Sequence, residues 1–277
     1  MSEPSLILLH GYPFDHTLWQ SVVRQLHDRV QIPVLTPDLP GFGDNPVAPT
    51  EPSIDVMADA VAELFRLHNL ERAIVAGMSM GGYVALALAD RYRDRIAGLG
   101  LVSTQTGADE EQTKKSRLEM IEKIKRDGVR PAVEAILPRL FAETQPADPS
   151  WLEFPKKGAD AAGAEGLCWA LEAMASRPDR TGSLKSFSFP VSIIHGEKDR
   201  LIPIARAEQI ASALPPGALT RISGAGHATP LERPDAVAEA LYRLIKQACS
   251  GAAPLPRLSR DEPSRPGVIW GPTEHGL

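Results

Sequence analysis

The run Gly77-Met78-Ser79-Met80-Gly81-Gly82 sets a serine among small residues, the G-x-S-x-G spacing of a nucleophile at the turn from a strand into a helix. Such a turn forces its central residue into strained backbone angles, and flanking glycines remove the side chains that would collide there. It is not a phosphate loop, because neither G-x-G-x-x-G nor a following Gly-Lys-Ser/Thr is present. A serine hydroxyl is a weak nucleophile at neutral pH and needs a base to take its proton. Of the seven histidines, His27 and His68 fall in predicted helices, His16 in an early loop and His275 near the C-terminus. His10, His195 and His227 remain, each at or just past a predicted strand end, where open α/β sheets build their sites. His227 is the best base, since the short loop Gly224-Ala225-Gly226 lets its imidazole reach back over the sheet. His10 and His195 are each followed by glycine and read as residues that shape turns beside the site. The imidazole needs a carboxylate to set its tautomer. Asp199, in His195-Gly196-Glu197-Lys198-Asp199, is the best placed, with Glu197 as a rival nearer the strand end.

These side chains need rigid elements to hold them, and the chain alternates short apolar runs with amphipathic helical stretches, the pattern of a parallel sheet covered on both faces. Strands are predicted at Leu6-Ile7-Leu8-Leu9, Val34-Leu35, Ala73-Ile74-Val75-Ala76 and Leu99-Gly100-Leu101-Val102. Two more follow at Val191-Ser192-Ile193-Ile194 and near Leu219-Thr220-Arg221-Ile222. Helical stripes lie between them: Leu18, Val22 and Leu26, then Met57, Val61, Leu64 and Phe65 behind a Ser53 cap, and finally Val237, Leu241, Leu244 and Ile245 after Pro234. From Gln105 to Lys185 only helical stretches are predicted, the first with Leu118, Ile121 and Ile124 inward. The expected organisation is a discontinuous α/β core, residues 1–104 and 186–249, with a helical cap inserted at 105–185. Residues 250–277, proline-rich and without apolar periodicity, read as a disordered tail.

With 43% hydrophobic and 23% charged residues the chain is ordinary globular material. Its net charge of −5, without a dense basic block, gives nucleic acid nothing to bind. No apolar run approaches the ~18 residues that span a membrane, and Met1-Ser2-Glu3-Pro4 lacks a basic leader. Cys168 and Cys249 are too few for a disulfide frame or a thiolate metal site. These features point to a cytoplasmic protein with no cofactor, no metal and no membrane or nucleic-acid partner. Oligomeric state is not legible.

Taken together, His10-Gly11-Tyr12-Pro13, Asp38-Leu39-Pro40-Gly41-Phe42-Gly43, Gly77 to Gly82, His195 to Asp199 and Gly224-Ala225-Gly226-His227 resemble the successive signatures of the α/β-hydrolase superfamily, over about residues 5 to 248. The order Ser79, Asp199, His227 is the order of its triad. The resemblance implies an α/β-hydrolase fold, a mostly parallel, doubly wound sheet with an inserted helical cap. It also implies an oxyanion hole from the backbone N–H groups of Tyr12 and Met80. One departure is that the strand before His10 starts almost at the first residue, leaving no room for the family's usual N-terminal hairpin. Serine at the elbow speaks against the aspartate-nucleophile branches, and the cap has no tyrosine to serve as a lid acid.

The motif spacing looks most like the small carboxylesterase and enol-lactonase group, which implies a serine hydrolase acting on a small ester or lactone through an acyl-enzyme. Other readings are a thioesterase or amidase on the same triad, a hydroxynitrile-lyase-like lyase, a non-catalytic ligand-binding protein, and a metallohydrolase using His10, His195 and His227. Met78, Phe14, Phe42 and Trp169 are the expected pocket residues. The cap arginines, Arg117 and Arg177 among them, read as a solvated face rather than a grip on a substrate carboxylate.

Overall fold

A computed structural model describes residues 4–250, so the expected disordered tail lies, except for Ser250, outside the described residues. Six strands form one sheet in the order β2-β1-β3-β4-β5-β6, and every pairing is parallel. They are β1 (Ser5–Leu9), β2 (Val34–Leu35), β3 (Ala73–Met78), β4 (Ile96–Val102), β5 (Val191–Gly196) and β6 (Leu219–Ile222). Parallel pairing needs crossovers, which α1 (Gln20–His27), α2 (Ile54–Leu67), α3 (Met80–Arg91) and α7 (Ile204–Ala211) supply, and α9 (Pro234–Cys249) closes the order after β6. Three more helices, α4 (Glu111–Asp127), α5 (Arg130–Leu140) and α6 (Glu153–Ser176), are inserted between β4 and β5. A single turn, α8 (Thr229–Glu232), precedes α9.

The period-2 alternation of a strand divides the core into two layers. Ile7 and Leu9 of β1 join the cluster containing Met57 and Val61 of α2 and Val84 and Leu88 of α3. Leu6 and Leu8 point the other way, to Val22 and Leu26 of α1 and Val237, Leu241 and Leu244 of α9. Helix α2 starts where the sequence predicts, with the Ser53 hydroxyl accepting the Asp55 N–H at 3.1 Å.

In the insertion, Ile121 and Ile124 are buried but Leu118 is 55% exposed, against expectation. Successive steps of three residues drift around a helix, so positions 118 and 124 stand about 120° apart, too wide for one narrow buried stripe. Arg177 is also contrary to expectation: it is 4% exposed, not on a solvated face.

Candidate active site

The sheet order reverses between β1 and β3, since the chain steps outward from β1 to β2 and then, from β3, builds toward β6. Ligand crevices in open α/β sheets form at such a reversal, outside the carboxyl ends of the strands. Leu9 pairs with Gly77, so the turn His10-Gly11-Tyr12 runs beside Met78-Ser79-Met80. The approach is close. A Cβ on Gly11 would meet Met78 Sδ at 2.6 Å and Ser79 Cβ at 3.2 Å.

Ser79 has φ 53° and ψ −115°, a conformation that side chains rarely adopt. Its backbone is held on both sides: its N–H donates to the Val102 carbonyl at 2.9 Å, and its carbonyl accepts the Gly82 N–H at 2.9 Å and the Thr104 hydroxyl at 2.8 Å. The small flanks are required, because a Cβ on Gly77 would collide with the Gly81 carbonyl, and one on Gly81 with the carbonyls of Leu9 and His10. Met80 opens α3, so its N–H belongs to the first turn of a helix, where no intrahelical acceptor exists.

Asp199 follows β5 and His227 follows β6, and the two side chains meet with 2.8 Å between His227 Nδ1 and Asp199 Oδ2. An ionised carboxylate only accepts, so Nδ1 carries the proton and Nε2 of the neutral ring carries the lone pair. Nε2 is buried and has no hydrogen-bond partner among the described residues. Asp199 Oδ1 accepts the N–H groups of Leu201 and Ile202, each at 2.8 Å. Burial opposes the charged form of Asp199, but the electrostatic pull of the His227 N–H and hydrogen bonds from both imidazoles outweigh it and hold the carboxyl well below its ordinary range. Glu197, the rival acid, is exposed.

The second imidazole, His195, touches the same carboxylate, a contact that the turn-shaping reading missed. Its Nε2 lies 2.8 Å from the Ile202 carbonyl and 3.2 Å from Asp199 Oδ2, so Nε2 bears the proton and ties the acid loop to the end of β5. His10 does shape a turn. Its Nε2 accepts the Leu39 N–H at 3.0 Å, and burial holds the ring below the usual imidazole value despite the opposing charge of Asp38. Among the described residues no group of three or more His, Cys, Asp or Glu could hold a metal ion.

A cavity of about 630 Å³ opens beside Ser79, between the sheet and the inserted helices. Tyr12, Tyr83, Met120, Ile136, Leu171 and Met174 are among its walls. None of the four expected pocket residues lines it. Met78 and Phe14 are fully buried in the layer that faces α1 and α9. Phe42 is fully buried and packs edge-on against His10, with ring centroids 5.0 Å apart. Trp169 points to a separate space of about 300 Å³ with Pro52 and Lys125. Apolar character at a loop or helix position does not tell which side of the backbone a side chain takes, whereas the fold does.

Glu232 was also not foreseen, though one signal was available: a lone carboxylate closing the apolar run after His227. Its two oxygens accept the Gly226 N–H at 2.8 Å and the Ala142 N–H at 2.9 Å, joining the histidine loop to the segment just after α5.

Parallel strands in this order, with a serine elbow after the third, are the arrangement of an α/β hydrolase. The chain belongs to the alpha/beta hydrolase family, whose model matches residues 6–240. It is 29% identical to a pimeloyl-[acyl-carrier protein] methyl ester esterase of Aromatoleum aromaticum, over 89% of this chain and all of the relative. It is 27% identical to a 2-succinyl-6-hydroxy-2,4-cyclohexadiene-1-carboxylate synthase of Enterobacter, covering 88% of this chain and 92% of that one. Among solved structures, a thermophilic esterase from Thermogutta terrifontis with malate bound superposes with a TM-score of 0.83 at 34% identity, over 88% of this chain and 90% of that one.

Proposed function

We propose that the protein is a serine hydrolase that cleaves a small carboxylic ester or lactone. The observation that carries this reading is the buried Asp199–His227 pair, which leaves Nε2 without a hydrogen-bond partner among the described residues and free to act as a base, with Ser79 held at its elbow after β3 along the same edge of the sheet. Ser79 Oγ attacks the carbonyl carbon while His227 Nε2 takes its proton, and Asp199 stabilises the imidazolium that forms. The Tyr12 and Met80 N–H groups receive the oxyanion; losing one such donor costs about 10²–10³ in rate. His227 then returns the proton to the leaving oxygen. Water, activated by the same imidazole, releases the acid from the acyl-enzyme. Esterases among the similar proteins favour this chemistry, and the 630 Å³ cavity suits a small-molecule acyl substrate. The inserted helices serve as the cap over that cavity. Cys168 and Cys249, the chain's two cysteines, are not joined in a disulfide, which fits work in the reducing cytoplasm.

The test combines an ester and lactone panel with mass spectrometry after treatment with a fluorophosphonate. Wild type should carry the adduct on Ser79, and Ser79→Ala should lose it together with about 10⁴-fold or more of turnover while its circular dichroism is unchanged. An active Ser79→Ala variant would overturn the assignment.

A further inference from the structure

One wall of the cavity beside Ser79 is built on a buried cluster of three charges. Asp109, on the segment leading from β4 to α4, is 5% exposed and lies between two guanidiniums. Arg117 Nε donates to its Oδ2 at 2.6 Å, and Arg177 Nη2 sits 2.8 Å from its Oδ1. Burial opposes ionisation of Asp109, but the two arginines outweigh it and hold the carboxyl below its usual range. One carboxylate against two guanidiniums leaves the cluster with a single net positive charge.

The two arginines are committed differently. Arg177 donates to the carbonyls of Met174 and Gly107, and its guanidinium lies 4.0 Å over the Tyr83 ring, so it is built into the wall. Arg117 lines the cavity itself, as Ser79 does, and its side chain keeps 18% exposure. Its bond to Asp109 runs through Nε, which leaves the Nη edge of the fork outside that pair. Tyr12 lines the same cavity, and its hydroxyl is buried with no hydrogen-bond partner among the described residues. The other charges around the cavity do not neutralise the cluster: Glu110 is paired with Arg206 at 2.6 Å, and Asp179 and Arg139 are exposed to screening solvent.

We propose that Arg117, with the Tyr12 hydroxyl, receives a carboxylate carried by the substrate, so that the preferred substrates are anionic esters or lactones such as the half-esters of dicarboxylic acids. This rests on the hydrolase reading of Ser79 and gives it a substrate class. A guanidinium fixed through Nε presents a planar edge that matches a carboxylate with two charge-assisted hydrogen bonds. The bound carboxylate supplies the counter-charge that the buried cluster lacks. A neutral substrate leaves these polar groups unpaired, which is how a site of this kind rejects it.

The experiment compares half-p-nitrophenyl esters of dicarboxylic acids, from succinate to adipate, each with its methyl-capped neutral counterpart. Wild type should favour the best half-ester by about tenfold or more in kcat/KM, and Arg117→Gln should lower the anionic-to-neutral ratio by about 10–100-fold, chiefly through KM. Arg117→Lys, which keeps the charge without the fork, should restore part of the ratio. A wild type with no preference, or an Arg117→Gln ratio equal to wild type, overturns the carboxylate site. If wild type turns over neither ester, the hydrolase reading falls instead. The carboxylate site is then decided by calorimetric titration with glutarate: binding to wild type that weakens about tenfold in Arg117→Gln supports it, and no difference overturns it.

Discussion

Two carboxylates stand two positions apart after β5, and their surroundings separate them. Asp199 is enclosed by His227, His195 and two backbone N–H groups, while Glu197 faces solvent. Asp199→Asn keeps the shape but lets its amide donate to His227 Nδ1, which then holds the lone pair and turns the proton toward Ser79. Turnover should fall by roughly 10⁴-fold, while Glu197→Gln stays within about twofold of wild type in steady-state kinetics. The opposite result would transfer the role to Glu197. The serine elbow and the histidine-carboxylate pair were legible in the sequence because each follows a strand in a short turn that contains glycine, where few residue types serve. The cavity wall was not legible. Arg117 and Arg177 look like any other helix charges until folding sets them on either side of Asp109, and Met78 and Phe14 look like pocket residues until β3 and the loop after β1 turn them into the opposite layer.

Among the elements, the segment that follows α5 does more than cover the cavity. The Leu140 carbonyl accepts the Ala228 N–H at 2.8 Å, the Phe141 carbonyl accepts Arg200 Nη2 at 2.8 Å, and Ala142 donates to Glu232. A Cβ on Gly226 would collide with this segment. It therefore holds both the loop that carries Asp199 and the loop that carries His227. Glu232→Ala removes the acceptor from two backbone N–H groups at once and should cost about 1–3 kcal/mol in denaturant melts, with kcat falling more than KM rises. Glu232→Gln has a single oxygen for two donors that now use separate ones, so its loss should be intermediate. Unchanged stability and kcat in Glu232→Ala would show that the link is idle. Strand and helix positions were readable because apolar periodicity repeats within each element. This strap was not, because its hydrogen bonds run through main-chain atoms that every residue type carries.

For the molecule as a whole, the inserted helices share the core they cover. Ile121, Ile124, Val133, Leu171 and Met174 belong to the same buried cluster as Ile7 and Leu9 of β1 and Leu99 and Leu101 of β4. Leu140 and Phe141 belong to the layer on the other face. Helices joined to the sheet through both layers should melt with it, so calorimetry of the full chain should give one transition, with calorimetric and van't Hoff enthalpies in agreement. A separate early transition lost on deleting residues 105–185 would contradict this.

The place where those helices enter the chain has a consequence for descent. They leave after β4 and return at β5, parallel strands that lie side by side with Leu99 opposite Val191, so any crossover long enough to carry the chain back to the start of β5 threads the sheet identically, whatever helices it holds. The crossover between positions 102 and 191 can therefore be rewritten without touching the strand order that sets Ser79 after β3, Asp199 after β5 and His227 after β6. The piece that cannot be rewritten freely is the strap from Leu140 to Ala142, because the loops that carry Asp199 and His227 are moored to it.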